Sequence, residues 1–279
     1  STKTILAAAQ AVISHNKAQI PKELWTENGE GEAITVTETV NERHEAQHLI
    51  DTIRSLGKHR YTLANFAVLY RTHAQSRALE EQLVRSGMPY RIVGGTRFYE
   101  RREIKDLLAY ARLLNNPADT VSMERIANIP PRGIGKATVD RLTDVSAPDR
   151  IAAVKALSSD YPPTSRTGKA LSGFHALLVY LQRIAQEKKP SETLKAIIEH
   201  ARYEEYLRAP KNAEAENAEE RVENIHELLT VAKKYDAAGP AGLAQLLEEV
   251  ALFQDADKLS CIFCSVSLLR QAAYRAYKY

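Results

Sequence analysis

The sequence predicts an α/β layer over about the first hundred residues, followed by an all-helical part. Two observations carry this. Strand-like and helix-like patterns alternate as far as Gly94-Gly95. Beyond that pair only helical spacing recurs, punctuated by Pro148, Pro162-Pro163, Pro190, Pro210 and Gly239-Pro240. A chain of 279 residues can bury a substantial core in one or two domains, and 44% apolar with 26% charged residues is an ordinary globular composition.

Taken in order, Ser1 is placed to cap a helix with Ile5, Ala8, Ala9, Val12 and Ile13 on one face. After Pro21 comes a polar loop, and residues 33–40 alternate as a strand does. Asn41 can cap the next helix, whose apolar face is Ala46, Leu49, Ile50 and Ile53. Residues 66–70 are a short continuous apolar run, the signature of a buried parallel strand. A helix over about 74–86 stops at Gly87, and residues 90–93 read as another strand. Helical patterns then cover about 101–115, 121–128, 135–145, 168–187, 191–208, 214–236 and 240–253. Residues 260–279, rich in Tyr, Arg and small apolar side chains, have no clean period and fall outside this scheme.

No run of about 18 apolar residues is present, so no membrane-spanning helix is expected. The start, Ser1-Thr2-Lys3-Thr4, has neither a Met nor the charged-then-apolar order of a signal peptide. Cys261 and Cys264 give no disulfide framework, and the expected setting is the reducing cytoplasm. His44-Glu45-Ala46-Gln47-His48 matches H-E-x-x-H, but the helix's apolar face turns both histidines to solvent and no third ligand stands nearby. Cys261-Ile262-Phe263-Cys264 lacks a second pair, so no metal site is expected. Gly135-Lys136-Ala137 and Gly168-Lys169-Ala170 fail as phosphate loops. Pro130 and Pro163 stand where a Walker loop needs Gly, and Ala replaces the magnesium-binding hydroxyl. The chain is expected to hold no cofactor and to hydrolyse no ATP by itself.

The net charge of +3 hides an asymmetry. Residues 91–141 carry ten Lys/Arg against six Asp/Glu, whereas 199–227 carry nine Asp/Glu against four Lys/Arg. One polyanion-facing surface accounts for this; so do the solvated faces of helices. Within the basic stretch lies Ile129-Pro130-Pro131-Arg132-Gly133-Ile134-Gly135-Lys136-Ala137-Thr138. The prolines forbid helix at the entry, and the glycines let the main chain approach a ligand. A helix then begins near Lys136, aiming free N–H groups and a positive dipole end outward. Arg132, Lys136 and Thr138 add side-chain donors. As a helix-hairpin-helix element this stretch grips a DNA backbone without reading bases. As an ordinary Gly-rich turn it joins two helices.

The neighbouring residues favour the first. Phe66-Ala67-Val68-Leu69-Tyr70-Arg71-Thr72-His73-Ala74-Gln75-Ser76-Arg77 leads on to Tyr90-Arg91-Ile92-Val93-Gly94-Gly95-Thr96-Arg97-Phe98-Tyr99-Glu100-Arg101, then Glu103-Ile104-Lys105-Asp106 and Pro131-Arg132-Gly133-Ile134-Gly135. In this order they closely resemble the UvrD/PcrA/Rep family of superfamily-1A, 3′–5′ DNA helicases, over about residues 1–257. Arg221-Val222-Glu223-Asn224-Ile225 resembles a helix of that family's accessory domain.

The resemblance implies that residues 1–100 are the N-terminal part of a RecA-like motor domain (2A). Residues 101–257 then form the helical 2B domain, and 258–279 an atypical tail in place of the rest of 2A. It implies that Arg71 lies along single-stranded DNA, with a carboxylate-paired strand end as the alternative. Gly94, Gly95, Arg97 and Phe98 border the same strand, although Phe98 also fits a core. Lys105 and Arg112, two turns apart on one helix, face the duplex; a surface ion pair of Lys105 is the competing reading. Gly133, Ile134, Gly135 and Thr138 match the family's duplex clamp. The family's Walker loop and its Asp-Glu pair, which bind ATP and Mg, belong to the domain 1A of a parent helicase. Domains 1A and 1B, DNA, and repair or transcription proteins are the implied partners, and no membrane. The alternative is a non-enzymatic homologue acting as an interaction or regulatory module.

Overall fold

The computed structural model describes residues 1–16, 23–57, 61–93, 95–144, 148–209, 217–256 and 266–270, which fall into two units, Ser1–Glu45 and Ala46–Tyr279. Helix α1 (Lys3–Ile13) opens the first. Its N-cap is Thr2 rather than Ser1, and no side chain caps it. A later loop holds its start instead: Lys3 and Thr4 donate backbone N–H groups to the carbonyls of Gly29 and Glu30 at 3.1 and 3.2 Å. Gly31, at φ +77°, packs against Thr2 where a side chain would clash. Residues 33–40 correct the sequence reading: they form no strand. Their apolar alternation is real, but a strand persists only in a ladder, and here Ile34, Val36 and Val40 stand exposed.

Asn41 caps α2 (Glu42–Gly57) as expected, its Oδ1 accepting the His44 N–H at 2.9 Å. The helix buries Ala46, Ile50 and Ile53 in a cluster with Leu83, Val266 and Leu268. Strand β1 (Ala67–Tyr70), α3 (Ser76–Arg85) and β2 (Tyr90–Val93) form where predicted, with Gly87 at φ +62° ending the α3 turn. But β1 is not the buried strand expected: only Tyr70 is buried and Leu69 is 57% exposed. The two strands are not neighbours. Between them, parallel to both, runs β3 (Val266–Arg270), pairing Ala67 with Ser267 on one side and Tyr90 with Val266 on the other. The expectation that strands end at Gly94-Gly95 is thereby corrected. Val266 and Leu268 are fully buried, yet a run this short, interrupted by Ser267, shows no period in the sequence. The product is a small parallel sheet of three strands, consistent with part of a RecA-like layer.

The described residues from Arg102 to Ala256 are mostly helical. Helix α4 (Arg102–Asn115) lies at the centre, with Ile104, Leu107, Leu108, Tyr110 and Leu113 wholly buried. Around it run α5 (Thr120–Ile126), α6 (Lys136–Asp144), α7 (Arg150–Ser158), α8 (Arg166–Glu187), α9 (Pro190–His200), α10 (Tyr203–Arg208), α11 (Ala218–Lys233) and α12 (Gly242–Ala256). Sequence periodicity missed α7, a short helix that Asp149 caps by accepting the N–H groups of Ile151 and Ala152 at 2.8 and 3.1 Å. The single pattern over 191–208 breaks in two where Arg202 takes φ +54°.

A buried polar joint ties α3 to α11. Arg77, 1% exposed, bridges Glu81 at 2.8 Å and Glu227 of α11. Burial alone would lower its pKa, but the two carboxylates prevail and raise it. Beside it, Arg101 donates to Asn224 Oδ1 and Ser76 Oγ, both at 2.8 Å, and Asn224 donates to Glu103 at 2.6 Å.

Candidate nucleic-acid interface

The loop between α5 and α6 is built on one acceptor. Asn128 Oδ1 receives the consecutive backbone N–H groups of Arg132, Gly133 and Ile134 at 2.7, 3.1 and 3.3 Å. Gly133 makes this turn possible by standing at φ +84°. Ile134 is buried in the main core and pins the loop from below. It is an anchor, with no surface to offer a ligand. Gly135 opens onto empty space, and α6 starts at Lys136. Thr138 and Val139 give their N–H groups to Gly135 O at 3.0 and 3.1 Å. The N–H groups of Gly135, Lys136 and Ala137 have no protein partner among the described residues. Lys136 is exposed and Thr138 half-buried.

Arg132 departs from expectation. Its guanidinium turns inward, donating from Nη1 to the carbonyls of Ile126 and Pro130 at 2.9 and 3.1 Å and from Nη2 to the Tyr110 hydroxyl. It also lies 4.8 Å from the centroid of Phe174. Tyr110 in turn donates to Ile129 O at 2.7 Å, and burial pushes its phenol up to about 12 despite Arg132. Arg132 therefore ties the loop to the end of α5, where Ile126 O also accepts the Ile129 N–H; the terminal nitrogens the sequence assigns to a phosphate are already engaged.

Lys105 and Arg112 come together as their spacing requires, lining a cleft of about 350 Å³ with Arg125, Glu100, Val121 and Gln254. Arg112 donates to Gln254 Oε1 at 3.0 Å, and its pKa is lowered, first by burial and also by the charge of Arg125. Arg125 pairs with buried Asp106 at 2.7 Å. Among the described residues Lys105 has no ion pair.

At the sheet's end Arg71 is exposed, and its backbone N–H donates to Gln75 Oε1 at 2.9 Å. Gly95 lies against His73, whose Cε1 would sit 2.8 Å from an added Cβ. Arg97 covers the Tyr90 ring at 5.4 Å. Gly94 is outside the described residues. Phe98 is fully buried against Tyr99, and its N–H donates to Glu80 at 3.0 Å. It takes the core role, and its ring offers no face to a base. Sequence reasoning missed Asn128, Tyr110 and Arg125. Only Asn128 carried a local signal, as an Asn directly ahead of a Pro-rich turn.

Two further observations bound the site's chemistry. His44 and His48 are exposed on α2, and no grouping of three His, Cys, Asp or Glu able to hold a metal occurs among the described residues. Cys261 and Cys264 lie outside them. No helix among the described residues is long and apolar enough to cross a membrane.

A small parallel sheet leading into a helical body, with a Gly-Ile-Gly loop at a helix start, is matched at the family level. The model for the UvrD-like helicase C-terminal domain covers residues 1–269, into β3, and the chain belongs to that family. Among similar proteins, the ATP-dependent DNA helicase PcrA of Bacillus subtilis (strain 168) is 39% identical over 93% of this chain and 35% of its own length. The protein of that name from Leuconostoc citreum is 40% identical over 85% of the chain and 32% of its own. The one from Staphylococcus aureus (strain Mu50 / ATCC 700699) is 37% identical over 92% and 36%. The chain thus spans about a third of the length of these curated relatives.

Proposed function

We propose that this chain is the DNA-gripping part of an ATP-dependent 3′–5′ DNA helicase. Residues 1–100 together with β3 serve as a portion of motor domain 2A, and 101–257 as the helical 2B domain. Helices α5 and α6 with their loop act as a helix-hairpin-helix clamp on duplex backbone. The observation that carries this is the loop's division of labour. Asn128 gathers the N–H groups of residues 132–134, which leaves those of Gly135, Lys136 and Ala137 open beside an exposed ammonium. That arrangement suits a phosphate oxygen. Lys105 and Arg112 extend the duplex contact along α4, while Arg71, Gly95 and Arg97 border single strand.

ATP and magnesium belong, in this reading, to domains 1A and 1B of the whole protein, because the loops here do not fit a nucleotide. Gly168 is buried, with Ser165 Oγ 3.0 Å from where its Cβ would be, so that loop is filled by its own chain. The chain alone is expected to bind duplex weakly, without sequence preference, and to hydrolyse no ATP.

The experiment is a duplex titration at several salt concentrations. Neutralising Lys136 (Lys136→Ala) should reduce the slope of log K against log[salt] by about 0.9, one phosphate's share. An unchanged slope removes Lys136 from the contact. A chain that ignores duplex at low salt would instead favour a protein-interaction module.

A further inference from the structure

We propose that Arg166, the first residue of α8, is the arginine that holds a backbone phosphate at the α5–α6 loop, in the place the sequence gives to Arg132. The inference rests on the duplex-gripping reading of that loop. Arg132 is committed elsewhere: its terminal nitrogens serve Ile126 O, Pro130 O and the Tyr110 hydroxyl, and its plane lies over Phe174. Swinging it outward would leave the Pro130 carbonyl and the Tyr110 hydroxyl without this donor, and Ile126 O with only the Ile129 N–H, a loss that one exposed phosphate contact does not offset.

Arg166 has the opposite surroundings. It is exposed, and among the described residues its guanidinium has no hydrogen bond or ion pair. It lies directly on the loop: a Cβ built on Gly133 would sit 3.2 Å from Arg166 Nε and 3.6 Å from Nη2. Gly133, already required at φ +84° by the turn, leaves room for that guanidinium because it has no side chain. The first turn of α8 contains no acidic residue to draw the guanidinium away. Ser165 caps the helix through the Gly168 N–H at 3.0 Å, so the residue that presents Arg166 is itself fixed. A planar fork of donors at Gly133, two residues before the open N–H groups of Gly135–Ala137, matches the two non-bridging oxygens of one phosphodiester. The ligand class is therefore nucleic-acid backbone, held without reading bases.

The test uses the full chain and a fluorescent duplex carrying a single-stranded tail, titrated from 50 to 200 mM salt, with Arg166→Ala, Arg166→Lys and Lys136→Ala. Because Arg166 is exposed, its variants should melt with the wild type. Arg166→Ala should lower the salt slope by about 0.9, so that over this range it loses about 3.5-fold less affinity than the wild type; Arg166→Lys keeps the charge and should keep the slope. If Lys136→Ala lowers the slope and Arg166→Ala does not, the assignment of Arg166 is wrong while the loop reading stands. If neither changes it, the loop reading fails as well.

Discussion

Asn128 and Arg132 close one loop from opposite sides, the first by accepting three N–H groups and the second by donating to two carbonyls. Neither role depends on charge reaching solvent. Replacing Asn128 with Ala leaves those N–H groups without their acceptor, and should cost about 1–3 kcal/mol in a urea melt. Amide exchange at residues 132–134 should quicken in the same variant. Asn128→Asp offers a carboxylate oxygen of the same reach and should restore most of the stability; failure of both variants to differ from wild type would remove Asn128 from the turn. Gly133 and Ile134 were legible as a motif, but the direction of Arg132 was not. An arginine beside a Gly-rich helix start has the same sequence signature whether its guanidinium points outward or back onto the preceding turn.

Strand β3 is the element on which the sheet depends. Among the described residues it supplies both ladders, so β1 and β2 share no other partner there. A chain ending at Asp257 should lose the sheet's cooperative melting, whereas one ending at Arg270 should retain it. Within the full chain, Leu268→Ala removes a fully buried side chain and should cost about 2–5 kcal/mol by denaturant unfolding. The helices were far more legible than this strand. Long amphipathic repeats such as α4, α8 and α11 announce themselves over several turns, while five residues with Ser267 in the middle do not. Residues 33–40 are the converse, a strand pattern that meets no ladder, since pairing is decided by the neighbour and not by the alternation.

Across the molecule, charge is spent inside as well as outside. Of the basic residues between 91 and 141, Arg101 and Arg132 are turned into the structure and Arg125 pairs with Asp106, so the local excess overstates what a polyanion would meet. The buried joint of Arg77 with Glu81 and Glu227 links the α/β part to α11. Arg77→Ala removes the buried cation shared by Glu81 and Glu227, leaving Lys234 at 3.8 Å as the only ion-pair partner of Glu81 among the described residues, and should destabilise by about 3–5 kcal/mol. A urea midpoint equal to wild type would show that joint to be dispensable.

The sequence by itself determined the class of the fold, most helices, the family, and the Gly-Ile-Gly loop as the place to look. These rest on periodicity and motif, which are local properties of the chain. Only the tertiary structure decided that β3 lies between β1 and β2, that Phe98 and Ile134 are core, and that Arg132 faces inward while Arg166 comes to Gly133 from another helix. Each of those depends on which groups far apart in the chain meet, and on whether a polar atom finds its partner inside before it can offer itself to a ligand.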